Sequence, residues 1–140
     1  MTLDPQMIAV MKKRATLTGR AGDVADLALD EIRNGYNAER VWWNEIKPEM
    51  HDVINTHVAG PVRDIPIRIY KPNDLDEGPT LLYLHGGGWI LGNLETHDRV
   101  MRLLADFSGA WVVGVDYALS PEYKFPVALN EVRAVLDWLQ

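Results

Sequence analysis

Apolar residues recur along this chain with two different periods, and the change falls near residue 50. Before it the spacing is three and four. Met7, Ile8 and Met11 form a short stripe behind Asp4-Pro5, an N-cap and first-turn pair that predicts the start of a helix. Gly19 and Gly22 break that helix, and Asp23 caps a second one in which Val24, Leu27, Ala28 and Ile32 share a face and Gly35 marks the end. Tyr36, Trp42 and Trp43 fall outside the regular stripe, ahead of a turn at Lys47-Pro48, and their rings need something to cover.

From residue 51 the period is two. Val53, Asn55, His57 and Ala59 alternate with Ile54, Thr56 and Val58 up to Gly60-Pro61, and Ile65, Ile67 and Ile69 share one face of a second strand that ends before Lys71-Pro72. The two strands predict a hairpin. Past a polar turn at residues 73–79, Thr80 to Leu84 is apolar on both faces, the pattern of a buried interior strand, and it runs directly into His85-Gly86-Gly87-Gly88-Trp89. Thr96 is placed to cap a helix that turns Val100, Met101, Leu103, Leu104 and Phe107 to a core and closes at Gly109. Trp111 to Val115 predicts another doubly buried strand. Strand, crossover helix and strand make a βαβ unit, with parallel strands and a right-handed crossover. A last helix opening near Phe125-Pro126 buries Ala128, Leu129, Val132, Val135, Leu136 and Leu139. No internal repeat or flexible linker interrupts the order.

Composition narrows the class. The 140 residues are 47% apolar and 24% charged, enough for a globular core, and the net charge of -6 argues against a nucleic-acid partner, which clustered Lys and Arg would hold. Zero cysteines remove disulfides, thiolate nucleophiles and cysteine-based zinc sites. His51, His57 and His97 show no metal-ligand spacing, and no cofactor motif is present, so neither metal nor cofactor is expected. The first residues lack a basic stretch followed by an apolar one, and no apolar run approaches the about 18 residues of a membrane span; a cytoplasmic protein off the membrane is the expectation.

The chemistry is concentrated in the three glycines. Consecutive glycines after a strand cost backbone entropy and add no packing, so their use lies in main-chain N–H groups that can point at a ligand. In acyl transfer such donors stabilise the oxyanion of the tetrahedral intermediate by roughly 3–4 kcal/mol each. Gly87 and Gly88 are the candidate donors, with Gly86 shaping the turn. A loop that only reverses the chain, or one that cradles a phosphate, is the alternative. The spacing fits neither the dinucleotide-binding nor the P-loop fingerprint, since Leu91 stands where the former needs glycine and no lysine follows.

His85-Gly86-Gly87-Gly88-Trp89 is similar to the HGGG-type oxyanion motif of lipases and esterases. Some thirty residues on, Asp116-Tyr117-Ala118-Leu119-Ser120-Pro121-Glu122 with Phe125-Pro126-Val127-Ala128 resembles the D-Y-x-L-A-P-E…F-P-x-A signature of the hormone-sensitive-lipase family of α/β-hydrolases. Residues 84–107 look especially like the bacterial acetyl-esterase branch. The resemblance covers roughly residues 40–140, and Ser120, where most members carry Ala, is a small-for-small departure. It implies an α/β-hydrolase fold, with residues 1–50 as a helical cap segment and 51–140 as the first half of the catalytic domain. It further implies a serine carboxylesterase for short acyl esters, in which Gly87 and Gly88 hold the oxyanion and Trp89, Trp42 and Trp43 are candidate pocket walls, ordinary core packing being the alternative for each ring. His85 is expected to fix the loop rather than act as a base. Asp116 and Glu122, with Tyr117 and Pro121 in the same signature, are expected to organise the neighbouring loop.

The resemblance also implies a nucleophile that is not here. The chain has two serines; Ser108 sits at a helix end and Ser120 precedes a proline, and neither occupies a G-x-S-x-G elbow. No triad residue is carried over. In the family's strand order the nucleophile's strand would flank the one ending at His85, which otherwise presents an unpaired apolar edge. The expectation is an N-terminal portion of a longer esterase, inactive by itself, whose partners are a small-molecule ester and the remaining C-terminal half, in the same or a second chain. A homodimer stays open, as does a non-catalytic small-molecule-binding or receptor module on the same fold.

Overall fold

The computed structural model describes residues 3–18, 27–74 and 77–140, which fall into two units, Met1–Trp43 and Asn44–Gln140. In the first unit, α1 (Pro5–Thr18) begins as expected: the Gln6 N–H donates to Asp4 Oδ1 at 2.7 Å and the Ile8 N–H to the Asp4 carbonyl. Gly19, Gly22, Asp23 and Val24 lie outside the described residues. The next helix, α2 (Leu29–Trp43), runs straight through Gly35. A Cβ there would meet nothing within 4 Å and no positive φ is required, so the glycine only weakens the helix by about 1 kcal/mol relative to Ala. Tyr36, Trp42 and Trp43 are therefore helical. Glu39, buried, accepts from Arg14 Nε at 2.9 Å and Trp43 Nε1 at 3.2 Å, tying α1 to α2.

The second unit is a four-stranded sheet in the order β1-β2-β4-β3, from β1 (Asp52–Val58), β2 (Ile65–Lys71), β3 (Thr80–Leu84) and β4 (Trp111–Val115). β1 and β2 form the expected antiparallel hairpin, β2 pairs antiparallel with β4, and β3 pairs parallel with β4 from Thr80↔Trp111 to Leu84↔Val115. Helix α3 (Asp98–Ser108) joins β3 to β4, and α4 (Val127–Trp138) follows β4.

Side chains alternate across the sheet, so its two faces carry separate cores. On one face Ile65, Ile67, Val113 and Val115 pack with Val132 and Val135 of α4; on the other Tyr70 and Val112 pack with Met101 and Ala105 of α3. Gly114 lets α3 approach: a Cβ there would stand 2.3 Å from Met101 Sδ.

Both helices bury narrower stripes than the sequence pattern suggests. α3 turns Asp98, Met101 and Ala105 inward, which leaves Val100, Leu104 and Phe107 on a second, exposed stripe, Phe107 being 82% exposed. α4 buries Glu131, Val132 and Val135 and leaves Leu129 and Leu136 exposed. Pro126 precedes α4 rather than occupying its first turn. Gly109 closes α3 with φ 68° and an N–H bonded to the Ala105 carbonyl, as expected, but Thr96 does not cap it. Its hydroxyl instead takes the Asn93 N–H, while Asn93 Oδ1 takes the Thr96 N–H, a closed turn ahead of the helix. β4 is buried on both faces. β3 is an edge strand among the described residues, with Leu81 41% and Leu84 40% exposed, so its two-sided apolar pattern is only half used.

Asp98 opens α3 at the centre of a buried ionic cluster. Its carboxylate, 2% exposed, takes Lys47 Nζ at 2.5 Å, Tyr70 Oη at 2.8 Å, Arg102 Nε at 2.9 Å and Arg68 at 3.4 Å. Burial alone would raise the Asp98 pKa, but the bonds from Lys47 and Tyr70 and the charge of Arg102 outweigh it and hold the carboxyl below its ordinary value. Asp98→Ala leaves three cations around an empty site and should cost about 3–5 kcal/mol in urea unfolding. The carboxylate contributes stability above the ordinary carboxylate pKa, and loses it as pH falls through the lowered native one; Asp98→Asn should flatten that part of the acid unfolding curve.

Candidate active site

The segment at 85–92 leaves the C-terminal end of β3, beside the parallel strand β4, where open α/β sheets place their ligands. Its shape is one that side chains resist. Gly87 has φ 138°, Gly88 φ 62° and Gly92 φ 94°, and Trp89, with φ 67°, is the non-glycine residue drawn into the left-handed region. The turn closes on the Gly87 carbonyl, which accepts from the N–H of Ile90 at 3.2 Å and of Leu91 at 2.9 Å. These bonds use the carbonyl and leave the N–H groups of Gly87 and Gly88 out of the turn. A Cβ on Gly87 would stand 2.0 Å from the Leu91 carbonyl oxygen, and one on Gly92 2.4 Å from the Gly86 oxygen and 2.5 Å from His85 Nδ1.

His85 is buried beneath the loop. Its Nδ1–H donates to the Gly86 carbonyl at 3.0 Å, and its ring stacks on Tyr117 with centroids 4.2 Å apart and planes 11° from parallel. That bond leaves Nε2 without the proton; it faces Asp116 Oδ1 at 4.0 Å and makes no hydrogen bond among the described residues. Burial lowers the imidazole pKa, against the opposing pull of the Gly86 carbonyl and the Asp116 carboxylate, so the ring is neutral near pH 7. Burial likewise raises the Asp116 pKa, with His85 and Arg63 opposing.

The segment after β4 grips the loop at both ends. Tyr117 Oη donates to the His85 carbonyl at 2.5 Å, and the Ser120 N–H donates to the Trp89 carbonyl at 2.8 Å. Trp89 is half exposed, with its ring 5.2 Å from that of Tyr117. Pro121 and Glu122 lie exposed in the turn beyond, closed by the Tyr123 N–H on the Leu119 carbonyl. His85, the three glycines, Trp89, Asp116 and Tyr117 thus come together. Trp42 and Trp43 belong to the first unit, where they meet edge to face at 4.5 Å and Lys13 lies over the Trp42 ring.

Two residues that sequence reading passed over stand behind this arrangement. Glu131 accepts the Ala118 N–H at 2.7 Å and Arg63 Nε at 2.9 Å, and the same guanidinium donates to the Asp116 carbonyl at 2.6 Å. An acidic residue inside the apolar stripe of the last helix, between Ala128 and Val132, was the available signal. Arg63, in the hairpin connection, offered none. Both serine hydroxyls serve local structure: Ser108 donates to the Leu104 carbonyl and Ser120 to that of Tyr123.

Residues 81–140 match the model of a family described as having the α/β-hydrolase fold. An acetyl esterase of Salmonella typhi is 45% identical over 114 residues, covering 81% of this chain and 35% of its own length. Among solved structures, a hyperthermophilic esterase from Pyrobaculum calidifontis superposes with TM-score 0.90 at 33% identity, over 99% of this chain and 44% of that one. An ester hydrolase from the metagenome of Lake Arreo, bound to a phosphonate derivative, does so with TM-score 0.85 at 34% identity, over 99% and 45%. The chain spans about a third of the length of the curated relatives it matches.

The glycine positions are not equivalent. Gly88→Ala enters open space and pays only for its positive φ, about 1–2 kcal/mol. Gly92→Ala meets backbone and imidazole together and should destabilise the chain more in urea unfolding and alter the near-ultraviolet circular dichroism of Trp89; equal costs at the two positions would contradict the packing described.

Proposed function

We propose that this chain is part of an α/β-hydrolase and supplies the oxyanion-binding part of a carboxylic ester hydrolase acting on short acyl esters through a serine outside these 140 residues. Its motifs resemble those of the hormone-sensitive-lipase branch. The observation that carries the reading is the loop at 86–88, whose turn is closed through the Gly87 carbonyl while two adjacent glycine N–H groups remain outside it.

The chemistry follows from what develops during acyl transfer. As a serine oxygen adds to the ester carbonyl, that carbonyl oxygen takes up negative charge; N–H donors about 3 Å from its new position strengthen their bonds as the charge forms and so lower the barrier rather than merely the ground state. Gly87 and Gly88 are assigned this role, and Gly86 the geometry that aims them. The fixed backbone dipoles need no reorganisation. The N–H after the nucleophile is the third donor expected in this fold. Trp89, half exposed beside the loop, is assigned to the wall of the acyl site. His85, neutral and bonded through Nδ1 to Gly86, is assigned to holding the loop.

An aryl acetate tests the reading. The 140-residue chain alone should give no serine-dependent turnover and no labelling by an organophosphate, because both its serine hydroxyls are engaged locally. A protein carrying this sequence together with a downstream serine elbow should show burst kinetics and a single labelled serine in that elbow. Saturable ligand binding by that protein with no hydrolysis would overturn the proposal.

A further inference from the structure

Beyond the donors themselves, the structure assigns a positioning device: we propose that Tyr117, anchored by the buried Arg63–Glu131 ion pair, sets the position of the oxyanion loop. The proposal rests on the esterase reading for its catalytic consequence, but its geometry stands independently of it. Three elements distant in sequence meet at residues 116–118. Glu131 of α4, 0% exposed, takes the Ala118 N–H on Oε2; Arg63, from the hairpin connection, donates to both Glu131 oxygens and to the Asp116 carbonyl. The peptide groups on either side of Tyr117 are therefore held by one ion pair, and the Asp116 N–H is held by the Pro66 carbonyl at 2.9 Å.

With its backbone fixed in this way, Tyr117 reaches the loop by two contacts. Its hydroxyl, buried, donates to the His85 carbonyl, and its ring lies flat against the His85 imidazole. His85 in turn holds Gly86 through Nδ1 and meets Gly92 so closely that no Cβ fits between them. Displacing the Tyr117 hydroxyl frees the carbonyl on which the three glycines are hung. A burial of this kind is costly unless every group is paired, and here the carboxylate has three donors. Packing alone does not call for a glutamate between Ala128 and Val132, where an apolar residue would fill the stripe.

Tyr117→Phe keeps the ring over His85 and removes only the hydroxyl; Glu131→Gln keeps the shape and removes the charge. Backbone hydrogen exchange, followed by mass spectrometry on the 140-residue chain, should accelerate in peptides covering 85–92 by about tenfold or more for Tyr117→Phe, and in the same direction for Glu131→Gln, with β1 and β2 within about twofold of wild type. Unchanged exchange at 85–92 in both variants would overturn the proposal. So would acceleration shared equally by β1 and β2, because the residues would then be core and nothing more. In a protein carrying this sequence with its nucleophile, Tyr117→Phe should lower kcat for an aryl acetate about tenfold while KM stays within about twofold, the pattern of an interaction realised in the transition state. A wild-type protein with no hydrolysis would defeat the esterase reading and leave the exchange result to decide this one.

Discussion

Glycine gives residues 87 and 88 the freedom to adopt positive φ, and the same freedom leaves them no side chain with which to hold that shape. The loop must be held from outside, and most of what is particular about the second unit serves that need. The Tyr117 hydroxyl and the Ser120 N–H take the carbonyls at the two ends, His85 holds the Gly86 carbonyl, and Gly92 gives up its Cβ so that the imidazole can sit against Gly86. Hydrogen bonds to main-chain carbonyls are directional, so two of them at opposite ends fix orientation as well as place. The donor role proposed for Gly87 and Gly88 depends on such fixation, since oxyanion donors act without reorganising during reaction.

The same logic explains the placing of charge. Two carboxylates are almost wholly buried in this unit, and each joins segments that local propensity would leave independent. Asp98 ties α3 to β2 and to the segment at residue 47; Glu131 ties α4 to the hairpin connection and to the chain leaving β4. Such pairs are poor sources of net stability compared with apolar packing, since desolvation offsets much of the Coulomb attraction. What they add here is register: each accepts bonds from fixed donors that no hydrophobic contact would distinguish.

Much of this was legible in the residues. The change of period near residue 50, the hairpin, the βαβ order, the glycine loop after a strand and the Gly109 cap all appear as read, because each rests on local pattern or on backbone geometry that few residues can adopt. The misses share a different cause. Gly35 reads as a helix end, yet a glycine in an exposed helix costs little when nothing demands a left-handed turn. Leu129, Leu136 and Phe107 read as core because periodicity reports which residues could face a partner, while the width of the buried stripe depends on what lies opposite. β3 shows the same limit: its apolar faces describe a strand with neighbours on both sides, and the described residues provide one. The clamp behind Tyr117 was invisible for a stronger reason, since Arg63 and Glu131 are 68 residues apart and their meeting is a product of topology.

Gly114 shows how far such dependence reaches. It is the next-to-last residue of the most buried strand, where a β-branched residue would suit the strand better, and its missing Cβ is filled by Met101 Sδ and approached by a Leu94 methyl at 3.0 Å. The two positions divide a fixed volume between them. Among descendants of this sequence, a side chain could be gained at 114 only along with a loss of bulk at 101, so the pair is expected to drift jointly or not at all, with the helix that follows the glycine loop carried along by whichever residue changes.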